Sequence, residues 1–155
     1  MGLISNGTTL LDAGAIDSGV ATGSMTLIKT LTASSSGTLS FVDGAASVVL
    51  DGTYKEYIFK FYNIHPASDD QNLFFNMSAD TGSNYNVTKT TTYFRANHNE
   101  NDGAASINYR TGEDLAQATG YQKLTLGTNN DNDSGSSGYL HLFEPSSTTF
   151  VKHFI

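Results

Sequence analysis

The chain contains no cysteine. Disulfide staples and thiolate metal sites are therefore excluded, which fits synthesis in a reducing cytoplasm. Basic residues are scarce: 8 Lys plus Arg against 15 Asp plus Glu leave a net charge of -7. Nucleic-acid binding needs cations that displace counterions from phosphates, and anionic membranes ask for the same sign, so neither partner is expected. No apolar run approaches the roughly 20 residues of a membrane span. Residues 1–7, Met-Gly-Leu-Ile-Ser-Asn-Gly, have neither the basic region nor the long apolar stretch of a signal peptide. No internal repeat is visible, which argues against propellers and solenoids.

What remains is a chain of 155 residues, 38% hydrophobic and only 15% charged. That is one domain's worth of sequence with enough apolar material for a thin two-layer core. Ser, Thr, Asn and Gly make up the balance, a composition that suits sheets with one wet face. The densest apolar stretch is Tyr54-Lys55-Glu56-Tyr57-Ile58-Phe59-Lys60-Phe61-Tyr62-Asn63-Ile64-His65-Pro66. Period 2 puts Tyr57, Phe59 and Phe61 on one face and Ile58, Lys60, Tyr62 and Ile64 on the other, and Pro66 ends the strand. It is predicted to lie centrally, with Phe59 and Phe61 in the core and residues 72–79 as its antiparallel partner.

Shorter strands are predicted around it. Residues 25–32 and 38–42 should form a hairpin across Ser34-Ser35-Ser36-Gly37, and strands are also expected at 87–96, 105–110, 121–126, 139–143 and 148–155. Residues 113–118 hold the one stretch suited to a helical turn. Strand 148–155 ends on Phe154-Ile155 and should be paired, by an inner strand or by a neighbouring subunit, because a bare apolar edge aggregates. The expected fold is all-β, an antiparallel β-sandwich of jelly-roll-like form over residues 25–155. Residues 1–24 carry a glycine every few positions, at Gly2, Gly7, Gly14, Gly19 and Gly23, and read as an irregular N-terminal arm. Leu3, Ile4, Leu10, Leu11 and Ile16 in that arm have no regular face on which to hide, so they are the candidate attachment residues; a flexible leader is the alternative.

Signatures of catalysis are missing. Asn129-x-Asp131-x-Asp133 begins like a calcium loop, but Ser134 stands where an EF-hand needs glycine and Leu140 where it needs glutamate. His65, His98, His141 and His153 lack metal-ligand spacing, although His141 and His153 could meet across paired strands. There is no nucleophile elbow, phosphate loop or dinucleotide fingerprint. Glycosidase carboxylates need not be close in sequence, so that chemistry is left to the structure. A sugar site needs aromatic faces and polar loop side chains, and Asp131, Asp133 and Tyr139 form the candidate ligand loop.

Several phrases resemble a group of small structural proteins of tailed bacteriophages. They are Ile16-Asp17-Ser18-Gly19-Val20-Ala21-Thr22-Gly23-Ser24-Met25, Tyr54-Lys55-Glu56-Tyr57, Asn63-Ile64-His65-Pro66, Thr90-Thr91-Thr92-Tyr93-Phe94 and the run from His141 to His153. The resemblance spans nearly the whole chain and consists of strand-and-turn phrases. It implies a virion component made in the host cytoplasm, a head decoration protein or a tail-fibre or tail-tip protein, with no enzymatic activity and no cofactor. Its expected partners are other virion proteins and copies of itself in a symmetric homo-oligomer such as a trimer. The alternative expectation is an adhesin that binds a host surface glycan.

Overall fold

The computed structural model describes residues 3–5, 7–12, 15–16 and 25–155. The chain divides into two compact units, Met1–Leu31 and Thr32–Ile155, so the expected boundary after residue 24 falls inside the first. Among the described residues there is no helix, and every strand pairing is antiparallel.

The first unit contains β1 (Leu3–Ser5), β2 (Thr8–Asp12) and β3 (Ala15–Ile16) in a three-stranded meander. The expectation of an irregular arm therefore does not hold for residues 3–5, 8–12 and 15–16. Gly7 takes a φ of +80°, a backbone state open to glycine at no steric cost, and the glycine that was read as a breaker serves as a hairpin turn instead. Leu3 is in register with Leu11, and Leu11 with Ile16. Residues 1–2, 6, 13–14 and 17–24 of the expected arm lie outside the described residues.

The second unit is organised by β4 (Glu56–Ile64), the longest strand. The expected alternation is present only in part: Tyr57 is buried and Lys60 and Tyr62 are exposed, but Phe59 and Phe61, expected in the core, are half-buried, as are Ile58 and Ile64 on the other face. Its partner is β9 (Ser136–Phe143), not residues 72–79. Leu140 and Leu142 of β9 stand opposite Phe59 and Tyr57, which extends one apolar face across both strands. The pairing runs from Glu56 opposite Phe143 to Phe61 opposite Gly138, where a Cβ on residue 138 would sit 2.8 Å from the Phe61 ring. Phe61 thus folds across the bare glycine of the neighbouring strand. Beyond it the register slips at Asn63, whose φ of 47° is a left-handed conformation that Asn tolerates better than most residues. The C-terminal strand β10 (His153–Phe154) adds to the far side of β9, so β9 is the middle strand and β4 an edge strand, not the central one expected. Of the expected strand 148–155 only residues 153–155 are paired, by an inner strand of the same chain, while 148–152 form no strand.

The segment proposed as the partner of β4 supplies only β5 (Phe74–Phe75), paired with β8 (Gln122–Lys123). The Asn76 side chain ends β5. Its Nδ2 donates to the carbonyls of Tyr85 and Thr119 at 2.6 and 3.1 Å, and its Oδ1 accepts from the Met77 N–H at 2.9 Å. Side-chain bonds of this kind replace a backbone ladder. The Thr-rich run behaves likewise. Thr90 and Thr91 hydroxyls accept from the N–H groups of Gln117 and Leu115 at 3.1 and 2.8 Å. A regular strand, β6 (Phe94–His98), therefore starts late, and forms a hairpin with β7 (Ala105–Tyr109). The expected 25–32/38–42 hairpin is not formed; Leu27 is 82% exposed and meets no surface that would select a strand face. Residues 113–118 form no helix: a turn ends at Glu113, and Ala118 bridges to Lys89.

Val48, Tyr57 and Leu142 are the buried apolar side chains among the described residues. Phe41 packs edge-on against Phe59 at 5.4 Å, and Phe75 against Phe154 at 4.9 Å, widening this small core. The Tyr57 hydroxyl donates to the Asp51 carbonyl at 2.9 Å. Leu142→Ala should lower stability by about 2–5 kcal/mol, the cost of a core leucine and its cavity, whereas Leu27→Ala should change it by less than about 0.5 kcal/mol. Chemical denaturation of both variants checks this, and equal losses would mean that β9 does not face the core.

Candidate functional site

The structure separates the residues of the expected ligand loop. Residues 127–134 are tied to the loop after β4: Thr128 exchanges both backbone bonds with Gln71, Gly127 N–H donates to Asn72 Oδ1 at 2.9 Å, and Asn130 N–H donates to Asp69 Oδ1 at 3.0 Å. His65 Nε2 donates to the Asp131 carbonyl at 2.9 Å, and that carbonyl also accepts from the Ser134 N–H. Asp131 and Asp133 are exposed at this end. Tyr139 lies opposite Lys60, three residues beyond Ser136 and so about 10 Å further along the strand. Asp131 and Tyr139 consequently belong to different surfaces. Of the candidate attachment residues, Leu3, Ile4 and Leu11 are exposed, while the side chains of Leu10 and Ile16 lie outside the described set.

His141 and His153 do fall on one face of neighbouring strands, since Phe143 pairs with His153 and His141 exchanges backbone bonds with Ile155. Yet no three His, Asp or Glu side chains converge to hold a metal ion among the described residues. His141 Nδ1 instead contacts Glu56 Oε1 across the β4–β9 pair. His98 Nε2 contacts Asp102 Oδ1 at 2.9 Å in the exposed turn between β6 and β7.

Perturbed titrating groups mark functional sites when they line a cleft; here each has a local structural cause. Hydrogen bonds from the Ser78 hydroxyl and from the side chain and N–H of Asn84 lower the Asp80 carboxyl to about 2. Lys89 is a buried cation that no motif or spacing had singled out. Burial lowers its pKa, and its ammonium donates to Asn76 Oδ1 and, at 2.8 Å, to the Val87 carbonyl. Beside it, buried Gln122 accepts from the Thr91 hydroxyl at 2.6 Å and donates to the Glu113 and Lys123 carbonyls, and Lys123 pairs with Glu113 at 2.5 Å. This network staples 89–91 to 113–123. All its polar atoms find partners, as a buried network requires.

Two surfaces remain that recognition could use. The first is the outer face of the β10-β9-β4 sheet. Glu56, Ile58, Lys60 and Tyr62 stand beside Phe143, His141 and Tyr139, with Ile155 at the edge, on the side opposite the core. The expectation that β4 is covered on both sides, or lightly on one, meets a bare face: Tyr62 is 72% and Tyr139 66% exposed. The alternation of 56–62 was visible in the sequence, but the matching stripe on β9 emerges only from the register. The second surface is a shallow cleft of about 400 Å³ between Tyr54 and Phe150, floored by Ser146, Ser147, Thr148 and Thr149 and edged by the Lys55–Glu144 ion pair at 2.9 Å.

Comparison of the chain with known protein families, curated proteins and solved structures returned no match.

Lys89→Ala should cost about 1–3 kcal/mol, because Asn76 Oδ1 and the Val87 carbonyl lose a buried donor; unchanged stability would show that water replaces the ammonium. For Asp80, the folded pKa is depressed, so its contribution is present above the ordinary value of 3.8 and is lost as pH falls toward about 2. A carboxyl-carbon titration should place its midpoint near 2; a midpoint near the ordinary value would show that the Ser78 and Asn84 bonds are not held in solution.

Proposed function

We propose that the chain is a non-enzymatic structural subunit of a bacteriophage particle, working by assembly with copies of itself and with other virion proteins. One observation carries this reading. The second unit buries three apolar side chains while Tyr62, Phe94, Ile107, Tyr139, Phe150 and Ile155 stand largely exposed. Tyr62 and Tyr139 stand together on one sheet face, and contiguous apolar patches of this kind mark interaction sites. The β6–β7 hairpin makes the same point, with Phe94 against Tyr109 at 5.1 Å and Ile107 81% exposed on one face. A two-stranded hairpin is marginal alone and gains stability when packed. The resemblance of the strand-and-turn phrases to phage structural proteins supplies the particle. In this reading the sandwich is completed between subunits, each contributing a sheet, and the exposed Leu3, Ile4 and Leu11 belong to the attachment surface.

The cleft beside Tyr54 favours a second reading, recognition of a neutral glycan. Aromatic walls stack on the apolar faces of sugar rings, and Ser and Thr hydroxyls with a Lys–Glu pair supply the donors and acceptors that fix orientation. In an array of neutral bacterial polysaccharides, that reading expects binding that is lost in Tyr54→Ala and Phe150→Ala together; silence of the unaltered protein rejects it.

Deletion of residues 2–24 tests the structural role. The remaining chain should melt cooperatively at nearly the same temperature but be absent from purified particles. Incorporation at normal occupancy would place the attachment surface within residues 25–155.

A further inference from the structure

The outer face of the β10-β9-β4 sheet has a pattern that identifies its occupant. Along β4, Glu56 and Lys60 point to this face at equal distances on either side of Ile58, and across the register stand Phe143, Tyr139 and His141 in the same order. Consider a two-fold axis crossing the strands at the Ile58–His141 pair. It lays the sheet face to face on itself and reverses the strand direction. Lys60 of one copy then meets Glu56 of the other, twice. Tyr139 meets Phe143, also twice, and Ile58 meets Ile58. Sheets pack in this way at about 10 Å with their strands nearly aligned. Opposite charges and aromatic pairs therefore coincide without any residue being moved to a new strand.

We infer that this face is the homodimer interface of the subunit, formed by packing the sheet against the same sheet of a second copy. The inference rests on the assembly reading and names its surface. Area is sufficient. Aromatic side chains bury about 150–250 Å² each when fully covered, and Tyr62, Tyr139 and Ile155 are 72%, 66% and 80% exposed, with Phe143, Ile58 and His141 beside them. Covering them removes on the order of 500 Å² per copy, so about 1,000 Å² in all, the threshold of a biological interface and the range of weak, reversible association. The charge pattern is the sharper argument. A foreign partner would need its own complementary pattern, whereas this strand already carries both signs symmetrically, as an isologous contact demands. Glu56 also contacts His141 within its own copy, which holds the carboxylate over the centre of the face.

The experiment is sedimentation equilibrium of the full chain in the micromolar range at physiological salt. The unaltered protein should self-associate. Lys60→Glu puts two pairs of like charges in contact, and so does Glu56→Lys; each should weaken association about tenfold or more. The double variant restores both pairs with their signs exchanged and should recover most of the loss, a coupling that only a direct contact between the two residues gives. Tyr139→Ser, at an exposed position, should weaken association without lowering the melting temperature of the monomer. Two results overturn the inference. Association unaffected by any of these variants leaves the assembly reading standing and moves the interface elsewhere. A monomer throughout the range rejects self-association, and incorporation into particles then decides the structural role separately.

Discussion

The second unit depends on one long-range pairing. Glu56–Ile64 and Ser136–Phe143 are joined strand to strand across a sequence gap that separates, for example, His141 from Glu56 by 85 residues. Closing so long a loop costs entropy that grows only slowly with length, but nothing is gained until the ends meet. The intervening segments form only the two-stranded pairings β5–β8 and β6–β7 and irregular loops, and neither pairing extends the β10-β9-β4 sheet. Buried Tyr57 and Leu142 stand opposite each other in this pairing, and Phe41 and Phe154 reach the core by packing on or beside it.

The two faces of that pair explain what was legible in the sequence. The alternation of aromatic and polar residues from Tyr57 to Tyr62 identified the strand, but not its place at the sheet edge nor the half-burial of Phe59 and Phe61. It did not identify the partner, because Leu73, Phe75 and Met77 alternate as convincingly as Leu140 and Leu142. The difference lies in Asn76, whose amide binds the carbonyls of Tyr85 and Thr119 and so withdraws its neighbourhood from any ladder. Thr90 and Thr91 show the same limit: their strand propensity is real, but their hydroxyls accept backbone bonds from 115–117 instead. A sequence rich in Asn, Thr and Asp has many side chains able to replace the backbone as a partner. Strand lengths read from periodicity alone are then overestimates. In the first unit the error has the opposite sign, since β1 and β2 pair across a turn at Gly7 where glycine spacing suggested no structure.

The site was legible in part. Tyr139 was chosen for its proximity in sequence to Asp131 and Asp133, but the extended strand between them carries the ring away from that loop. The register brings it instead to Lys60 and into a row with His141 and Phe143. Recognition on such a face comes from a broad apolar area with a few fixed charges, not from convergent catalytic groups. The groups with shifted protonation, Asp80 and Lys89 among them, have local structural partners that account for the shift.

If the outer face of the β10-β9-β4 sheet packs on a second copy, as proposed, the chain should be most protected where that sheet lies between two cores. Native-state hydrogen exchange measured at low and at high protein concentration tests that most directly. The slowest amides should lie within 57–61 and 138–142, and their exchange should slow further as concentration rises and the outer face is covered. Slowest exchange in the β6–β7 hairpin, or protection of β4 and β9 that does not change with concentration, would contradict the account.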